Sequence, residues 1–217
     1  MAQICLSFDN GPDPVVTPHV LDVLDRHGVT AWFFVLGHRL AEPGGLDLAR
    51  QIRDAGHRLG NHSYSHQTPL GDDRRPDAVE QELARTDALL DRVGVNARTF
   101  RPFGGGGKLG PHLLSPQAVE YLTARGHTCV LWNVVPGDWL DADGWVDAAL
   151  RQIGDHDHAL VVLHDILPDA MAHLDDFLTA LKTRGHTLTA ELPVDCLPII
   201  AGTPQVDLSP YVQAAST

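Results

Sequence analysis

The sequence has few cysteines and few basic residues, and both shortages exclude classes of protein. Its three cysteines, Cys5, Cys129 and Cys196, lack the number and spacing of a disulfide framework or a zinc knuckle, so we expect buried reduced thiols. Lys and Arg total 16 against 28 Asp and Glu, which gives a formal net charge of −12. No basic run offsets this balance locally, which argues against a nucleic-acid partner or an anionic membrane.

Long hydrophobic runs are absent as well. No stretch approaches the length of a membrane span, and no basic and apolar leader follows Met1. We therefore expect a cytoplasmic protein, unless a targeting segment has been removed from this sequence. With 217 residues, 43% of them hydrophobic, the chain is long enough for one core and one domain. The sequence leaves the oligomeric state open, a homo-oligomer included.

Short apolar runs alternate with amphipathic stretches, the pattern of a parallel α/β fold. The predicted strands are residues 3–9, 30–37, 57–62, 98–103, 128–135, 159–164 and 187–192. The predicted helices are residues 14–27, 45–55, 76–93, 115–124, 143–154 and 169–184. This pattern fits a doubly wound sheet or a nearly closed barrel. We assign residues 1–192 to this domain and expect residues 193–217, which contain four prolines, to form an extended tail packed on it.

The helix predicted at 76–93 has an apolar face and a polar face. Its apolar face contains Leu83, Ala84, Ala88, Leu89 and Leu90. Glu80, Glu82, Arg85 and Asp87 lie mostly opposite that face. The pattern therefore predicts that these four charged residues face solvent.

Polar side chains follow the ends of five predicted strands. They are Asp9 with Asn10, His62 with His66, Arg101, Asp138, and His164 with Asp165. In a βα barrel the carboxyl ends of the strands converge on the face where active sites are built. An α/β core rarely places so many ionisable groups there by chance, so we predict one functional site at that face.

The stretch GNHSYSH, residues 60–66, contains two histidines four residues apart. On a helical turn, His62 and His66 would share one face and could bind a single cation. With 13 histidines in the chain, a pair with this spacing also arises by chance. Asn10 could supply an oxygen ligand beside them, and the Asn10–Gly11 step also fits a tight turn. The two interpretations of that step are compatible.

Three further side chains suit acid–base chemistry. Arg101 lies between apolar residues and is expected to be buried and paired with Asp9. His164 is the general-acid candidate because the pKa of histidine lies near neutral pH, and Asp138 could bind its other ring nitrogen. Taken alone, His164 also fits a core histidine and Asp138 a helix cap. The glycines 104–107 either leave N–H groups open for an oxyanion or form only a flexible loop.

Together these stretches resemble the five signature motifs of the polysaccharide deacetylases, the NodB-homology or carbohydrate esterase family 4 enzymes. FDNGPDP is similar to the family's TFDDGP, NHSYSH to its H-[ST]-x-x-[ST]-H, and FRPFGG to its R-P-P-[YF]-G. GDW and VVLHD resemble the fourth and fifth motifs. The resemblance spans residues 8–165 and implies a distorted (β/α)7 barrel. It also implies hydrolysis of an N-acetyl group on an amino sugar or saccharide with a divalent metal, zinc first and cobalt or nickel as alternatives.

Carried over by position, the resemblance implies three groups of site residues. The acid–base group is Asp9 as general base, Arg101 as its orienting residue, His164 as acid and Asp138 as the residue that tunes this acid. The metal ligands are Asn10, His62 and His66. The residues that meet substrate or oxyanion are Phe103, Gly104, Trp139 and Leu163, with Leu163 at the wall of an acetyl pocket.

Two positions depart from the family pattern. Asn10 stands where the family has a metal-binding Asp, so the site lacks one negative charge and metal affinity should fall, unless the Asn10–Gly11 step deamidates. Phe103 and Gly104 stand where a proline and an aromatic residue are usual, which leaves the oxyanion donor and the substrate preference open. Two rivals follow: an amidohydrolase of a small nitrogenous compound, and a saccharide-binding relative without catalysis.

Overall fold

A computed structural model describes residues 1–95 and 98–214. The strands in these residues are β1 (Gln3–Asp9), β2 (Trp32–Val35), β3 (Arg58–Asn61), β4 (Thr99–Phe100), β5 (Thr128–Cys129), β6 (His158–His164), β7 (Thr187–Thr189), β8 (Ile199–Ile200) and β9 (Thr203–Pro204). The α-helices are α1 (Val16–His27), α2 (Gly37–Ala41), α3 (Gly45–Asp54), α4 (Arg85–Val93), α5 (Pro116–Ala124), α6 (Trp145–Ile153), α7 (Pro168–Met171) and α8 (Leu174–Thr183). A π-helical turn, Glu80–Ala84, leads directly into α4.

The sheet curls into a distorted (β/α)7 barrel. Strands β1 to β6 pair in parallel in the order β6-β1-β2-β3-β4-β5, and β7 pairs with the first half of β1. A parallel bridge between Val134 and Val161 joins the segment after β5 to β6, so the two ends of the sheet meet. The predicted fold class is confirmed, and the chain does not form the doubly wound alternative.

Strand β1 is buried on both faces, as a central parallel strand must be. Successive side chains point to opposite sides, so Ile4, Leu6 and Phe8 pack in the core formed with the surrounding helices. Cys5 belongs to a different apolar cluster, and Asp9 follows it on the same side of the strand. This alternation delivers the carboxylate of Asp9 to the interior of the barrel at its open end.

Five of the seven predicted strands are shorter than the sequence pattern suggested, β4 and β5 most of all, and the helices predicted at 76–93 and 169–184 are each divided. β4 and β5 have two residues each, because the chain beyond them leaves the ladder for the loops around the open end. The helix predicted at 76–93 begins as the π-helical turn, and this changes which residues are buried. Glu82 and Asp87 are 3% and 6% exposed, so the prediction that they face solvent is wrong.

The chain also contains elements that the sequence pattern did not predict. Helix α2 was missed because it has only five residues and begins with glycine. Residues 193–214 include 3₁₀ turns and the antiparallel pair β8–β9, and β8 pairs antiparallel with β5. The three cysteines are free and buried, as expected. No helix in the described ranges has the length and apolar character needed to cross a bilayer.

Candidate active site

The carboxyl ends of the parallel strands enclose a cavity of about 360 Å³. The predicted site residues that line it are Asp9, Asn10, His62, His66, Phe103, Gly104, Trp139 and His164. The register of the sheet pairs Asp9 on β1 with His164 on β6, so these two lie side by side. Arg101 and Asp138 lie behind the cavity, each bonded to a side chain that lines it. The structure therefore gathers residues that are far apart in sequence.

Asp9 is paired with a fully buried arginine. Arg101 is 0% exposed, and its Nη1 donates to Asp9 Oδ1 at 2.8 Å and to Ser7 Oγ at 2.7 Å. The guanidinium also lies 4.0 Å from the centre of the Phe34 ring. Burial alone would raise the pKa of Asp9, but the charge and the hydrogen bond of Arg101 bring it below its ordinary value. The carboxylate at the end of β1 is therefore ionised at neutral pH.

The rings of His62 and His66 lie 5.2 Å apart, centre to centre, on one side of the cavity. His62 Nδ1 is 2.9 Å from the carbonyl oxygen of Arg101, which can only accept, so this nitrogen carries the proton. His62 Nε2 is then left with its lone pair, 3.5 Å from Asp9 Oδ2. Burial is the main cause that lowers the pKa of His62, and it lowers that of His66 to about 4. Both imidazoles are neutral at pH 7, the form that binds metals.

The two histidines do not share a helical turn, so that detail of the sequence prediction is wrong. They lie on a loop after β3 in which Ser63 and His66 have positive φ angles of 75° and 55°. Side chains hold this loop: Asn61 Oδ1 accepts from the Ser63 N–H at 2.8 Å, and Ser63 Oγ accepts from the His66 N–H at 3.2 Å. The i,i+4 spacing thus brings the rings together through a turn rather than a helix.

Asn10 offers an oxygen to the same cavity. Its φ is +74°, a conformation that Asn tolerates better than most residues, and its N–H donates to the Phe34 carbonyl at 3.2 Å. Asn10 Oδ1 is buried and has no hydrogen-bond partner within the described part of the chain. Burial of an amide oxygen without a hydrogen-bond partner costs folding free energy unless a ligand or an ion binds to it.

These three side chains fit a divalent cation. Within residues 1–95 and 98–214 no three His, Cys, Asp or Glu side chains form a group that could hold a metal by themselves. The candidate set is instead two neutral imidazoles and the partnerless amide oxygen of Asn10. Imidazole suits zinc, cobalt and nickel, and an amide oxygen is a weaker, uncharged ligand.

His164 faces the cavity with a carboxylate behind it. Its Nδ1 is 2.8 Å from Asp138 Oδ1, and its backbone N–H donates to Asp138 Oδ2 at 2.8 Å. Burial alone would lower the pKa of His164, but the hydrogen bond and charge of Asp138, with Asp9 and Asp165 nearby, raise it above its ordinary value. Trp139 meets the His164 ring edge-on at 5.1 Å and is 38% exposed at the rim. The imidazole is held in one orientation with Nε2 free for chemistry.

The glycine-rich segment forms a fixed left-handed turn. The φ angles of Gly104 to Gly107 are 126°, 62°, 57° and 85°, which only glycine adopts readily in succession. Trp132 Nε1 donates to the Gly107 carbonyl at 2.7 Å and holds the turn against the cavity wall. Phe103, just before it, stacks on His66 with ring centres 3.9 Å apart. The phenylalanine at this position therefore supports one of the paired histidines.

Leu163 does not lie at the wall of the cavity, where the resemblance placed it. It is fully buried in the main core and is not among the residues that line the cavity. Its neighbour Val162 lines the cavity, with Ile166 and Leu167 just after β6. The apolar wall is therefore formed by these three residues, because alternation along β6 turns Leu163 outward.

Sequence reasoning assigned no role to Ser7, and it placed Asp165 at the functional face without giving it a role of its own. Ser7 Oγ accepts from Arg101 and donates to the Val161 carbonyl at 2.8 Å, so it helps to fix the arginine. Asp165 is buried beneath the first turn of the site, where the Thr17 hydroxyl donates to it. Burial raises its pKa to about 7. A Cβ at Gly11 would come within 2.3 Å of the Asp165 carboxylate, so Gly11 permits this packing.

Comparison with known proteins gives one consistent result. A family model described as Polysaccharide deacetylase matches residues 2–129. The peptidoglycan-N-acetylglucosamine deacetylase PgdA of Listeria monocytogenes serotype 1/2a is 34% identical over 184 residues, which are 85% of this chain and 37% of that protein. The chain therefore spans little more than a third of the length of this relative.

A relative of more similar length and a solved structure support the same family match. A chitooligosaccharide deacetylase of Rhizobium leguminosarum bv. phaseoli is 33% identical over 169 residues, which cover 76% of this chain and 69% of that protein. The family 4 acetyl xylan esterase of Clostridium thermocellum, solved in complex with a cobalt ion, superposes with a TM-score of 0.71. It is 29% identical, and the match covers 86% of this chain and 87% of that one.

Proposed function

Because this chain belongs to the polysaccharide deacetylase family, we propose that it hydrolyses the N-acetyl group of an amino sugar within a saccharide. The named relatives act on peptidoglycan N-acetylglucosamine and on chitooligosaccharides, which supports a saccharide substrate over a small nitrogenous compound. The observation that carries the proposal is the pair Asp9 and His164. They are neighbours across β1 and β6, line one cavity, and have pKa values shifted below and above their ordinary positions respectively.

Asp9 is the proposed general base. Its ionised carboxylate accepts a proton from the water that attacks the acetyl carbonyl carbon, and Arg101 keeps Oδ1 in place so that Oδ2 faces the cavity. Arg101 also donates to Ser7 Oγ, and Ser7 in turn donates to the Val161 carbonyl. These two hydrogen bonds hold the guanidinium in place. The geometry therefore holds the base rigidly at the end of β1.

His164 is the proposed general acid. As the bond between carbonyl carbon and nitrogen breaks, Nε2 donates its proton to the departing amine, which an amide nitrogen needs in order to leave. Asp138 binds Nδ1 and stabilises the imidazolium. The products are acetate and the free amino sugar. The attack of water turns the acetyl carbonyl oxygen into an oxyanion. We propose that the N–H groups near Phe103 and Gly104, at the glycine turn, stabilise this oxyanion.

We propose that Asn10, His62 and His66 bind a divalent cation, with zinc first and cobalt or nickel as alternatives. When bound, such a cation polarises the acetyl carbonyl and acidifies a water molecule. The cobalt ion in the solved relative and the partnerless oxygen of Asn10 support this assignment. The protein's own contribution is the neutral state of both imidazoles and the fixed tautomer of His62.

The test is acetate release from N-acetylglucosamine oligomers with added zinc, cobalt or nickel, with acetylated xylan as the ester comparison. We expect turnover of the amide substrate, and we expect Asp9→Ala to lower kcat by about 10²–10⁴-fold while metal binding persists. Asp207→Ala, at an exposed position far along the chain, is the control. Absence of turnover by the wild-type chain with every metal would contradict the proposed function. Loss of metal in Asp9→Ala would instead make Asp9 a ligand.

A further inference from the structure

The loop that carries His62 and His66 is attached to the segment that contains the π-helical turn Glu80–Ala84 and the start of α4. Two buried carboxylates of this segment contact the loop, Asp87 at its start and Glu82 at its middle. Neither carboxylate lines the cavity. Both were predicted to face solvent, so their burial against the loop needs an explanation.

Glu82 binds the middle of the loop through backbone N–H groups. Its Oε2 accepts from the N–H groups of Tyr64 and Ser65 at 3.0 and 2.8 Å. Its Oε1 accepts from Ser65 Oγ at 2.8 Å and from Arg75 Nη2 at 3.0 Å. All four contacts are donors, so only a carboxylate satisfies them.

Asp87 binds the start of the loop through Asn61. Asp87 Oδ1 accepts from Asn61 Nδ2 at 2.9 Å, and Oδ2 accepts from the Tyr121 hydroxyl at 2.8 Å and lies 2.9 Å from His127 Nε2. The Asn61 amide also donates to the Leu83 carbonyl at 3.0 Å. Asn61 Oδ1 is thereby turned toward the Ser63 N–H, the contact that sets the left-handed turn of the loop.

The segment that carries both carboxylates contains a π-helical turn. The Arg85 N–H donates to the Glu80 carbonyl five residues back, instead of the four of an α-helix. Glu82 lies within this turn, and Asp87 lies in the first turn of α4. Such turns occur frequently at functional sites.

We propose that Glu82 and Asp87 are positioning residues that hold His62 and His66 in the geometry for binding a cation. This inference rests on the proposed function, since it assigns these carboxylates to the same metal site. They act through Asn61, Ser63, Tyr64 and Ser65 and touch neither the substrate nor the cation.

The first experiment uses the 217-residue chain with Glu82→Gln, Asp87→Asn and the control Glu80→Gln. Glu80 is exposed on the same turn, so its variant matches the charge change without the buried contacts. Amide hydrogen exchange of Tyr64 and Ser65 is measured in metal-free protein, and cobalt affinity is measured by titration calorimetry. We expect the Tyr64 and Ser65 amides to exchange at least about tenfold faster in Glu82→Gln than in wild type. We expect both Glu82→Gln and Asp87→Asn to weaken cobalt binding about 10–100-fold. We expect Glu80→Gln to behave as wild type.

The second experiment exchanges the paired groups. Asn61→Asp places a carboxylate against Asp87 and the Leu83 carbonyl, so we expect it to weaken cobalt binding more than the double variant Asn61→Asp with Asp87→Asn does. Partial rescue of cobalt affinity in the double variant would show that residues 61 and 87 pair directly. General destabilisation of the fold does not produce such a rescue.

The outcomes separate this inference from the proposed function. Unchanged exchange in Glu82→Gln, or faster exchange with wild-type cobalt affinity, would overturn the positioning role. A wild-type chain that binds no cobalt would refute the proposed metal site, and loop exchange in the variants would then decide the positioning role alone.

Discussion

Asn10 determines the charge of the proposed metal site. With an amide and two neutral imidazoles as ligands, the first coordination shell carries no negative charge. The carboxylate of Asp9 lies next to it but is already bonded to Arg101. In the proposed site, the side chain at position 10 is therefore the one that most directly sets the affinity for a cation.

We predict that Asn10→Asp raises the affinity for zinc and cobalt roughly 10–100-fold, because a charged oxygen replaces a dipolar one at the same place. Competition titration with a metal chelator measures the change. Gln67→Glu is the matched control, since it adds the same charge beside His66 at an exposed position. Equal affinity in Asn10→Asp and wild type would mean that position 10 is not a ligand.

At the residue scale, side-chain chemistry predicted the two charged pairs correctly. A buried arginine requires a carboxylate, and the structure pairs Arg101 with Asp9. A histidine suited to acid chemistry requires an acceptor behind it, and the structure pairs His164 with Asp138. Leu163 was misplaced because the resemblance gave its position in the motif but not the direction of its side chain, which alternation along β6 decides.

At the scale of structural elements, the glycine turn at residues 104–107 forms one wall of the cavity. Its backbone is left-handed, with positive φ angles at all four glycines. Gly106 has φ 57° and ψ 39°, and a Cβ there would meet no atom within 4 Å. A substitution at Gly106 therefore tests backbone conformation without introducing a clash.

We predict that Gly106→Val raises KM about 5–30-fold, because a left-handed conformation costs an L-residue about 1–2 kcal/mol and β-branched residues tolerate it worst. Gly106→Asn is the paired variant, and we expect a much smaller change because Asn accepts this conformation. Steady-state kinetics on N-acetylglucosamine oligomers measure both. Equal KM values for the two variants would show that the turn rearranges freely.

At the scale of elements, sequence periodicity predicted the long segments well and the irregular ones poorly. β1 was predicted with its observed bounds because its apolar run ends at a turn signal. The π-helical turn before α4 could not be predicted, since a 3.6-residue period assumes regular hydrogen bonding. That assumption placed Glu82 in solvent, whereas Glu82 lies within the π-helical turn and is buried against the loop.

Asp165 makes the stability of the whole molecule depend on pH. Burial raises its pKa from 3.8 to about 7, so the folded chain favours the protonated carboxyl. A group with a raised pKa stabilises the fold fully below its unfolded pKa, and this contribution is lost as the pH rises through the folded pKa. The contribution of Asp165 should therefore decline between about pH 4 and pH 7.

We predict that Asp165→Asn gains stability relative to wild type as the pH increases from 4 to 8, because the amide has no proton to lose. Thermal unfolding at pH 4, 6 and 8 measures the difference, and each 1 kcal/mol corresponds to about 2–4 °C for a chain of this size. Asp155→Asn, at an exposed position, should show a constant difference. A constant difference for Asp165→Asn as well would show that this carboxyl is not protonated on folding.

At the scale of the molecule, the barrel was predictable from the alternation of strands and helices together with the motif order. The closure through Val134 and Val161 was not, because a single bridge leaves no periodic signal in the sequence. The pairing of β8 with β5 was also missed, since short proline-rich segments carry little strand propensity.

The direct pairing of Asp9 with His164 across β1 and β6 means that a hydrogen-bonded ladder sets the spacing of the proposed acid and base. Neighbouring strands are held about 4.8 Å apart, and this separation hardly changes when the surrounding loops lengthen or shorten. Insertions around the cavity can therefore reshape its entrance without changing the spacing of the proposed acid and base. A shift of either strand by one residue, in contrast, would turn its member of the pair to the opposite face, and we expect such a shift to abolish the proposed reaction.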